Sequence, residues 1–292
     1  MTGKTIVITG SSSGFGRCTT LELAKRGWHV FATVRKEADR ESLLAEAAEQ
    51  NCQENLTPLL CDITHEDQVT ALVQQVEDQL RTRSGAQETL RLDALVNNAG
   101  SAYGGPVELM SMDDIRSQFD LNVFAQIAVT KAFLPLLKAG HATIIYVSSI
   151  SGRISVPVTG VYSSSKFALE GLSDALRIEL APFGIHVVLI EPASSPTSIW
   201  KTSIGRSMES LSEHKESGPY MRLLQMAEKS ANQASKTGFP MQKFADTVVR
   251  ILSTPHPQAR YGVPACATAV MILRRLLPDA IWDRLIRIAM KW

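Results

Sequence analysis

A tyrosine and a lysine, Tyr162 and Lys166, stand four residues apart in a stretch that reads as helix. Residues at i and i+4 share a helix face. A free phenol titrates near ~10 and is a poor base at neutral pH. An ammonium one turn away favours the phenolate and lowers that value. Such a pair can take a proton from a hydroxyl or return one to a developing alkoxide. This is the proton half of an alcohol–carbonyl interconversion, with Tyr162 as acid/base and Lys166 as its electrostatic partner. Standing alone, a Tyr–Lys pair at this spacing is usually a surface pair, so its accompaniment decides the reading.

A glycine-rich turn, Thr9-Gly10-Ser11-Ser12-Ser13-Gly14-Phe15-Gly16, follows an apolar, β-branched segment and precedes a helical pattern through Leu21, Leu23 and Ala24. Gly10 can make the tight turn. Gly14 and Gly16 can let the backbone approach a pyrophosphate, and the helix offers free N–H groups and its positive dipole end to the anion. An unliganded serine-glycine turn is the plainer alternative. The position between first strand and first helix favours a phosphate-bearing ligand. At the end of the second strand Thr33 holds the place where an acidic residue often receives ribose hydroxyls. Arg35 and Lys36 come directly after it. Basic residues at a helix start oppose the dipole, and a 2′-phosphate would offset that cost. A solvated basic pair balanced by Glu37 and Asp39 is the competing account. The balance favours NADP(H) over NAD(H).

The elements that must position these groups alternate. Strand-like runs fall at 5–9, 30–34, 59–61, 95–96, 143–147, 186–190 and 260–263. Helical patterns lie between them at 38–50, around Val69 to Val76, through one long region from Met112 to Leu137, and at 162–180. Nearly continuous apolar strands alternating with helices predict a doubly wound parallel sheet of about seven strands, covered on both faces. The chain has 292 residues, 45% of them hydrophobic and 20% charged, with a net charge of +1. This composition supports a buried core and gives no sign of a nucleic-acid partner. Cys18, Cys52, Cys61 and Cys266 form no CxxC pair and no His cluster joins them, so neither a metal site nor a disulfide framework is expected. No signal peptide precedes the first strand, and no apolar run reaches the ~20 residues of a membrane span.

The TGxxxGxG spacing of the glycine turn resembles that of the short-chain dehydrogenase/reductase family. Asn97-Asn98-Ala99-Gly100 resembles that family's NNAG motif, and Tyr162-Ser163-Ser164-Ser165-Lys166 its YxxxK motif. Ser149, thirteen residues before Tyr162, falls where the family keeps its catalytic serine, and Asn122 where it keeps an asparagine. The resemblance is firm over residues 4–197. It implies a single Rossmann-type domain with strand order 3-2-1-4-5-6-7 and hydride transfer between a nicotinamide and an alcohol or carbonyl carbon. Ser149 would polarise the substrate oxygen, and Lys166 would also bind the nicotinamide ribose. Asn122 would help hold a water linking Lys166 to solvent. The implied cofactor contacts are Gly10, Ser12, Ser13, Gly14, Phe15, Gly16, Arg35, Asp62, Ile63, Asn98, Ala99, Gly100, Tyr162 and Lys166, with Pro192 and Thr197 beyond. Asp62 falls at the adenine-contacting place, and Ser13 can assist with the phosphate. The family commonly reads PGxxxT after strand six; here Ala193 replaces the glycine, which puts the local loop geometry in question. A homodimer or homotetramer through the helices of Asn122 and Tyr162 is also implied.

Residues 1–193 are thus expected to form the cofactor-binding and catalytic core, 194–238 a substrate cover and 265–292 a helical tail. The cover carries Ile199, Trp200, Ile204, Met208, Leu211, Tyr220, Met221, Leu223, Leu224 and Met226. Such a lid suits a hydrophobic ketone or alcohol, steroid-like or retinoid-like molecules included, though ordinary helix packing accounts for it about as well. In the tail Ile281, Leu285, Ile288, Ala289 and Trp292 share a helix face, and Arg284, Arg287 and Lys291 share another. Packing on the protein or on a partner subunit is the ordinary use of this pattern; lying on a membrane surface is the other. The expected location is cytoplasmic, with peripheral membrane contact through the tail as the alternative. The competing functions are an epimerase or dehydratase of the same fold and a non-catalytic dinucleotide-binding regulator. The intact Ser149, Tyr162 and Lys166 favour redox chemistry over both.

Overall fold

The computed structural model describes residues 3–84, 89–195, 218–290 and 292. β1 (Thr5–Ile8), β2 (His29–Val34), β3 (Leu56–Leu60), β4 (Ala94–Asn97), β5 (Thr143–Val147), β6 (His186–Pro192) and β7 (Arg260–Val263) form one seven-stranded sheet. Its order is β3-β2-β1-β4-β5-β6-β7, and every neighbouring pair is parallel. This is the doubly wound Rossmann order that the alternation and the resemblance predict. Side chains of successive residues leave opposite faces of a strand. Ile6 and Ile8 therefore enter one core, with Leu23, Trp28 and Phe244. Val7 enters the other, with Phe31, Val129, Phe133 and Tyr146.

The helices that bear on the site are α1 (Gly14–Lys25), α2 (Glu37–Glu49), α3 (Glu66–Ser84), α4 (Met112–Phe119), α5 (Ala125–Gly140) and α6 (Gly160–Glu179). After β6 come α7 (Gly218–Thr237), α8 (Met241–Ser253), α9 (Cys266–Leu276) and α10 (Asp279–Met290).

Several boundaries differ from the sequence reading. The long helix from Met112 is two helices joined by a π-helical turn, Asp120–Phe124, which carries Asn122. Taken as a whole, Met112–Gly140 has the length and hydropathy of a membrane span, contrary to expectation. Its Val129, Phe133, Leu136 and Leu137 are instead buried against the sheet. β3 begins three residues before the apolar run, at Leu56. Pro58 hides it from a sequence reading, but β3 is an edge strand, where a missing N–H is tolerated. The helix read around Val69 to Val76 is longer, Glu66–Ser84. The expected cover contains the helix α7. Ile199, Trp200, Ile204, Met208 and Leu211 lie outside the described residues.

Candidate active site

The strand order reverses between β1 and β4, and ligand crevices in open α/β sheets form outside the strand ends at such a point. The glycine turn leaves β1 there. Gly10 has φ +72 and Gly14 φ +58, the left-handed region in which glycine carries no steric penalty. A Cβ on Gly10 would also lie 2.8 Å from Ala99 Cα. Thr9 ties the turn to β4, its hydroxyl accepting from the N–H groups of Asn98 and Ala99, each at 3.0 Å. Thr33 Oγ1 accepts from Gly10 N–H at 3.1 Å, so its side chain braces the turn. The Asn98 amide donates to the carbonyls of Thr9 and Gly10 at 2.8 and 2.9 Å and braces it from the other side. Ser13, at the N-cap of α1, makes no side-chain cap bond. The open first turn of α1 remains available to an anion.

Gly16 serves packing. A Cβ there would collide with Gly10 O and with the Asn98 amide. Gly16 is buried under the turn and does not line the cleft, so the expected approach to a pyrophosphate is left to Gly10 and Gly14. Phe15 stacks on Phe244 with ring centroids 4.3 Å apart, pinning the turn to α8.

At the other end of the cleft, α6 presents Tyr162 and Lys166 against the end of β5, where Ser149 stands. All three side chains are buried. Ser149 Oγ accepts from Ser151 N–H at 3.0 Å and is hydrogen-bonded to the Tyr162 hydroxyl. Lys166 Nζ donates to Val147 O at 2.8 Å and lies 5.9 Å from the Tyr162 ring centroid. Burial pushes the phenol up to about 12, while the Ser149 hydrogen bond pulls it down. This corrects the expected lowering of the phenol by the ammonium: desolvation disfavours the phenolate more than the protein's own groups favour it. Desolvation also lowers the Lys166 ammonium to about 8, with Glu170 pulling it up.

Asn122 is fully buried and does not line the cleft. Its carbonyl oxygen accepts from Ser101 N–H at 3.0 Å, and its amide donates to Ser101 O and Ser165 Oγ at 3.0 and 3.1 Å. It clamps the loop after Gly100 to the helix of Tyr162. Gly100 sits close to this clamp: a Cβ would lie 3.2 Å from Asn122 Oδ1 and 3.7 Å from Lys166 Nζ.

A cleft of about 430 Å³ joins the two ends. It brings together Gly10, Ser12, Ser13, Gly14, Phe15 and Arg35, then Asp62, Ile63, Asn98, Ala99 and Gly100, then Ser149, Tyr162, Lys166 and Pro192. Thr197 lies outside the described residues. Arg35 is largely exposed and 3.9 Å from Asp62 Oδ2. Glu37 pairs with Arg40, at 2.7 Å. Hydrogen bonds from Thr64 and the charge of Arg35 hold Asp62 below its ordinary range despite burial. Ala193 fits where the glycine pattern breaks: its backbone φ is not left-handed, and its N–H donates to Val263 O at 2.7 Å.

Sequence reasoning missed Ser148, Ser101 and Tyr103, which also line the cleft. Ser148 Oγ is buried without a hydrogen-bond partner, as suits a wall that awaits a polar ligand. It missed too a buried ion cluster behind the site. Glu170 of α6 accepts from Arg260 of β7 at 3.0 Å and lies 3.6 Å from Arg153, in the loop after Ser149. Glu191 of β6 lies within 3.9 Å of both arginines. These charges join the Ser149 loop to the Tyr162 helix. Burial, and secondly Glu170, raise Glu191 to about 7. No local pattern marks the cluster, because its members come from four separate elements. The open end of α1, the unpartnered Ser148 hydroxyl and a glycine cradle closed to any Cβ fit a dinucleotide along this cleft.

The model of the family described as short chain dehydrogenase matches residues 4–206. The chain is 37% identical over 290 residues to the uncharacterized oxidoreductase YusZ of Bacillus subtilis, covering 98% of each. It is 31% identical to an NADPH-dependent 3-dehydrocapnine reductase of Ornithobacterium rhinotracheale, covering 96% of this chain and 94% of that one. It is also 31% identical to a 3-ketodihydrosphingosine reductase of Bacteroides thetaiotaomicron, covering 99% and 98%. Among solved structures, a short-chain dehydrogenase from Streptomyces avermitilis aligns with a TM-score of 0.71 and 25% identity over 98% of both chains. The chain belongs to the short-chain dehydrogenase/reductase family of oxidoreductases.

Proposed function

We propose that the protein is an NADP(H)-dependent oxidoreductase that interconverts a hydrophobic secondary alcohol and its ketone. The carrying observation is that one cleft holds the open glycine turn at one end and Ser149, Tyr162 and Lys166 together at the other. When bound, the nicotinamide would supply or accept the hydride. Ser149 would hydrogen-bond the substrate oxygen and hold it beside Tyr162. In the reducing direction Tyr162 would donate its proton to that oxygen; in the oxidising direction its phenolate would take one. Lys166, fixed by Val147 O, would keep a positive charge beside the phenol and favour proton loss from it. The open first turn of α1 and Ser13 would hold phosphate, and Asp62 with Ile63 would wall the adenine side.

Arg35 supports the 2′-phosphate reading, because it lines the cleft with only a long pair to Asp62. Two relatives, named as an NADPH-dependent 3-dehydrocapnine reductase and a 3-ketodihydrosphingosine reductase, support the reducing direction and NADPH. Exposed Phe124 and Phe167, beside the Asn122 and Tyr162 helices, support a subunit contact there. The test is a titration with NADPH and NADH, followed by nicotinamide fluorescence, in the wild type and in Arg35→Ala. The expected result is tighter NADPH binding that the variant loses. Tighter NADH binding would overturn the cofactor assignment, and binding of neither would overturn the enzyme reading.

A further inference from the structure

We propose that the outer face of α9 and α10 docks on an anionic lipid surface. Each helix already has an inward stripe. Ala267 and Met271 of α9 are buried; in α10 Trp282, Ile286 and Met290 are only half-buried, Met290 on the cluster of Val158, Leu223 and Leu224. A surface helix ordinarily carries one apolar stripe and turns it inward. These two carry a second, turned outward. Val270, Leu273 and Leu276 repeat along α9, and Ile281, Leu285 and Ile288 along α10, at helical spacings. All six are exposed, Leu276 to 74% and Ile288 to 66%. Six aliphatic side chains left in water along two consecutive helices mark a surface made to be covered.

Charge identifies the occupant. Residues 266–292 hold five basic side chains against two carboxylates, although the whole chain is only +1. Arg274 is satisfied within the hairpin, by Asp279 at 2.6 Å and by the Trp282 ring at 5.3 Å. Arg275, Arg284 and Arg287 are exposed and have no ion-pair partner among the described residues. A second copy seated on this face would bring a surface of the same net positive sign against it. Anionic headgroups satisfy the arginines, while the aliphatic stripes enter the acyl boundary and the arginine stems lie along it.

The face is also fastened to the site. Met290 touches the cluster that includes Val158, two residues before α6. Tyr220 of α7 stacks on Trp292, with centroids 6.4 Å apart, and donates to Glu108 at 2.6 Å. Docking would therefore hold the covering helix and the entry to the Tyr162 helix near the bilayer. The inference concerns the surface and goes beyond the proposed reaction.

Co-sedimentation of the full chain with vesicles tests it, using phosphatidylcholine alone and phosphatidylcholine mixed with phosphatidylglycerol. Binding to the mixed vesicles, weakened by salt, is expected. Arg284→Gln and Arg287→Gln should each weaken it about five-fold. The pair Leu276→Ser and Ile288→Ser should abolish it while NADPH binding, read by fluorescence, is unchanged. Absence of sedimentation, or sedimentation that the serine variant retains, would overturn the proposal. So would a wild-type dimer that dissociates in the serine variant without any vesicle binding, which would assign the face to a second copy.

Discussion

Burial raises the Tyr162 phenol to about 12 and lowers the Lys166 ammonium to about 8. For carbonyl reduction a protonated phenol is the useful form, and it persists throughout the neutral range. Of Ser149, Tyr162 and Lys166, it is Lys166 that titrates nearest neutrality, losing its charge as pH rises through about 8. The rate of reduction at saturating cofactor should therefore fall above that pH. Lys166→Arg should be slower but flat there, since a guanidinium stays charged; a pH–rate series on both proteins reads this. Tyr162→Phe should lower kcat by about 10²–10⁴-fold, the usual worth of a positioned acid, with NADPH affinity little changed. The identity and spacing of this pair were legible in the sequence. Its desolvation was not, because spacing within one helix says nothing of what β5 and the loop after Gly100 lay over it.

At the scale of elements, the glycine turn and the ion cluster each make a separate demand. The turn is closed by a contact between Gly16 and Gly10 O that no Cβ can share. Gly16→Ala should cost ~2 kcal/mol or more, the mark of an overpacked backbone site, and should weaken NADPH binding; thermal melting and the fluorescence titration measure the two effects. Glu191 makes the opposite kind of demand. Its folded value of about 7 exceeds its ordinary value of 4.5. The native state thus binds its proton more tightly than the unfolded chain does. The associated stability is full below the unfolded value and is lost as pH rises through about 7. Glu191→Gln should melt a few degrees higher than wild type at pH 8 and lose that advantage toward pH 5. Strand and helix order was readable from apolar alternation. The π-helical turn at Asn122 was not, because its backbone widens to serve contacts with Ser101 and Ser165, both far away in sequence.

Over the whole molecule, the parallel order β3-β2-β1-β4-β5-β6-β7 brings the glycine turn and the start of the Tyr162 helix to the same edge of the sheet, at the C-terminal ends of its strands. A sequence of alternating apolar strands specifies that arrangement strongly, since both faces must be covered and crossovers are right-handed. It specifies less of the chain beyond β6. There α7 packs Leu223 and Leu224 on Val158, a residue held at φ +72 whose carbonyl accepts from Gly105 N–H at 2.7 Å. A left-handed valine is sterically unfavourable and depends on that packing, so Leu224→Ala should loosen the entry to α6. Its expected signature is a lower kcat together with a loss of roughly 2 to 5 kcal/mol of stability, read by denaturant unfolding. The central claim is that one cleft performs hydride exchange with a proton from Tyr162. Its most direct measurement is single-turnover oxidation of bound NADPH by a long-chain ketone, in wild type and in Tyr162→Phe. Rapid oxidation by the wild type, and oxidation at least ~100-fold slower by a variant that still binds NADPH, is the predicted result. Equal rates in the two proteins would contradict the role of Tyr162, and no oxidation by the wild type across a series of apolar ketones would contradict the reaction itself.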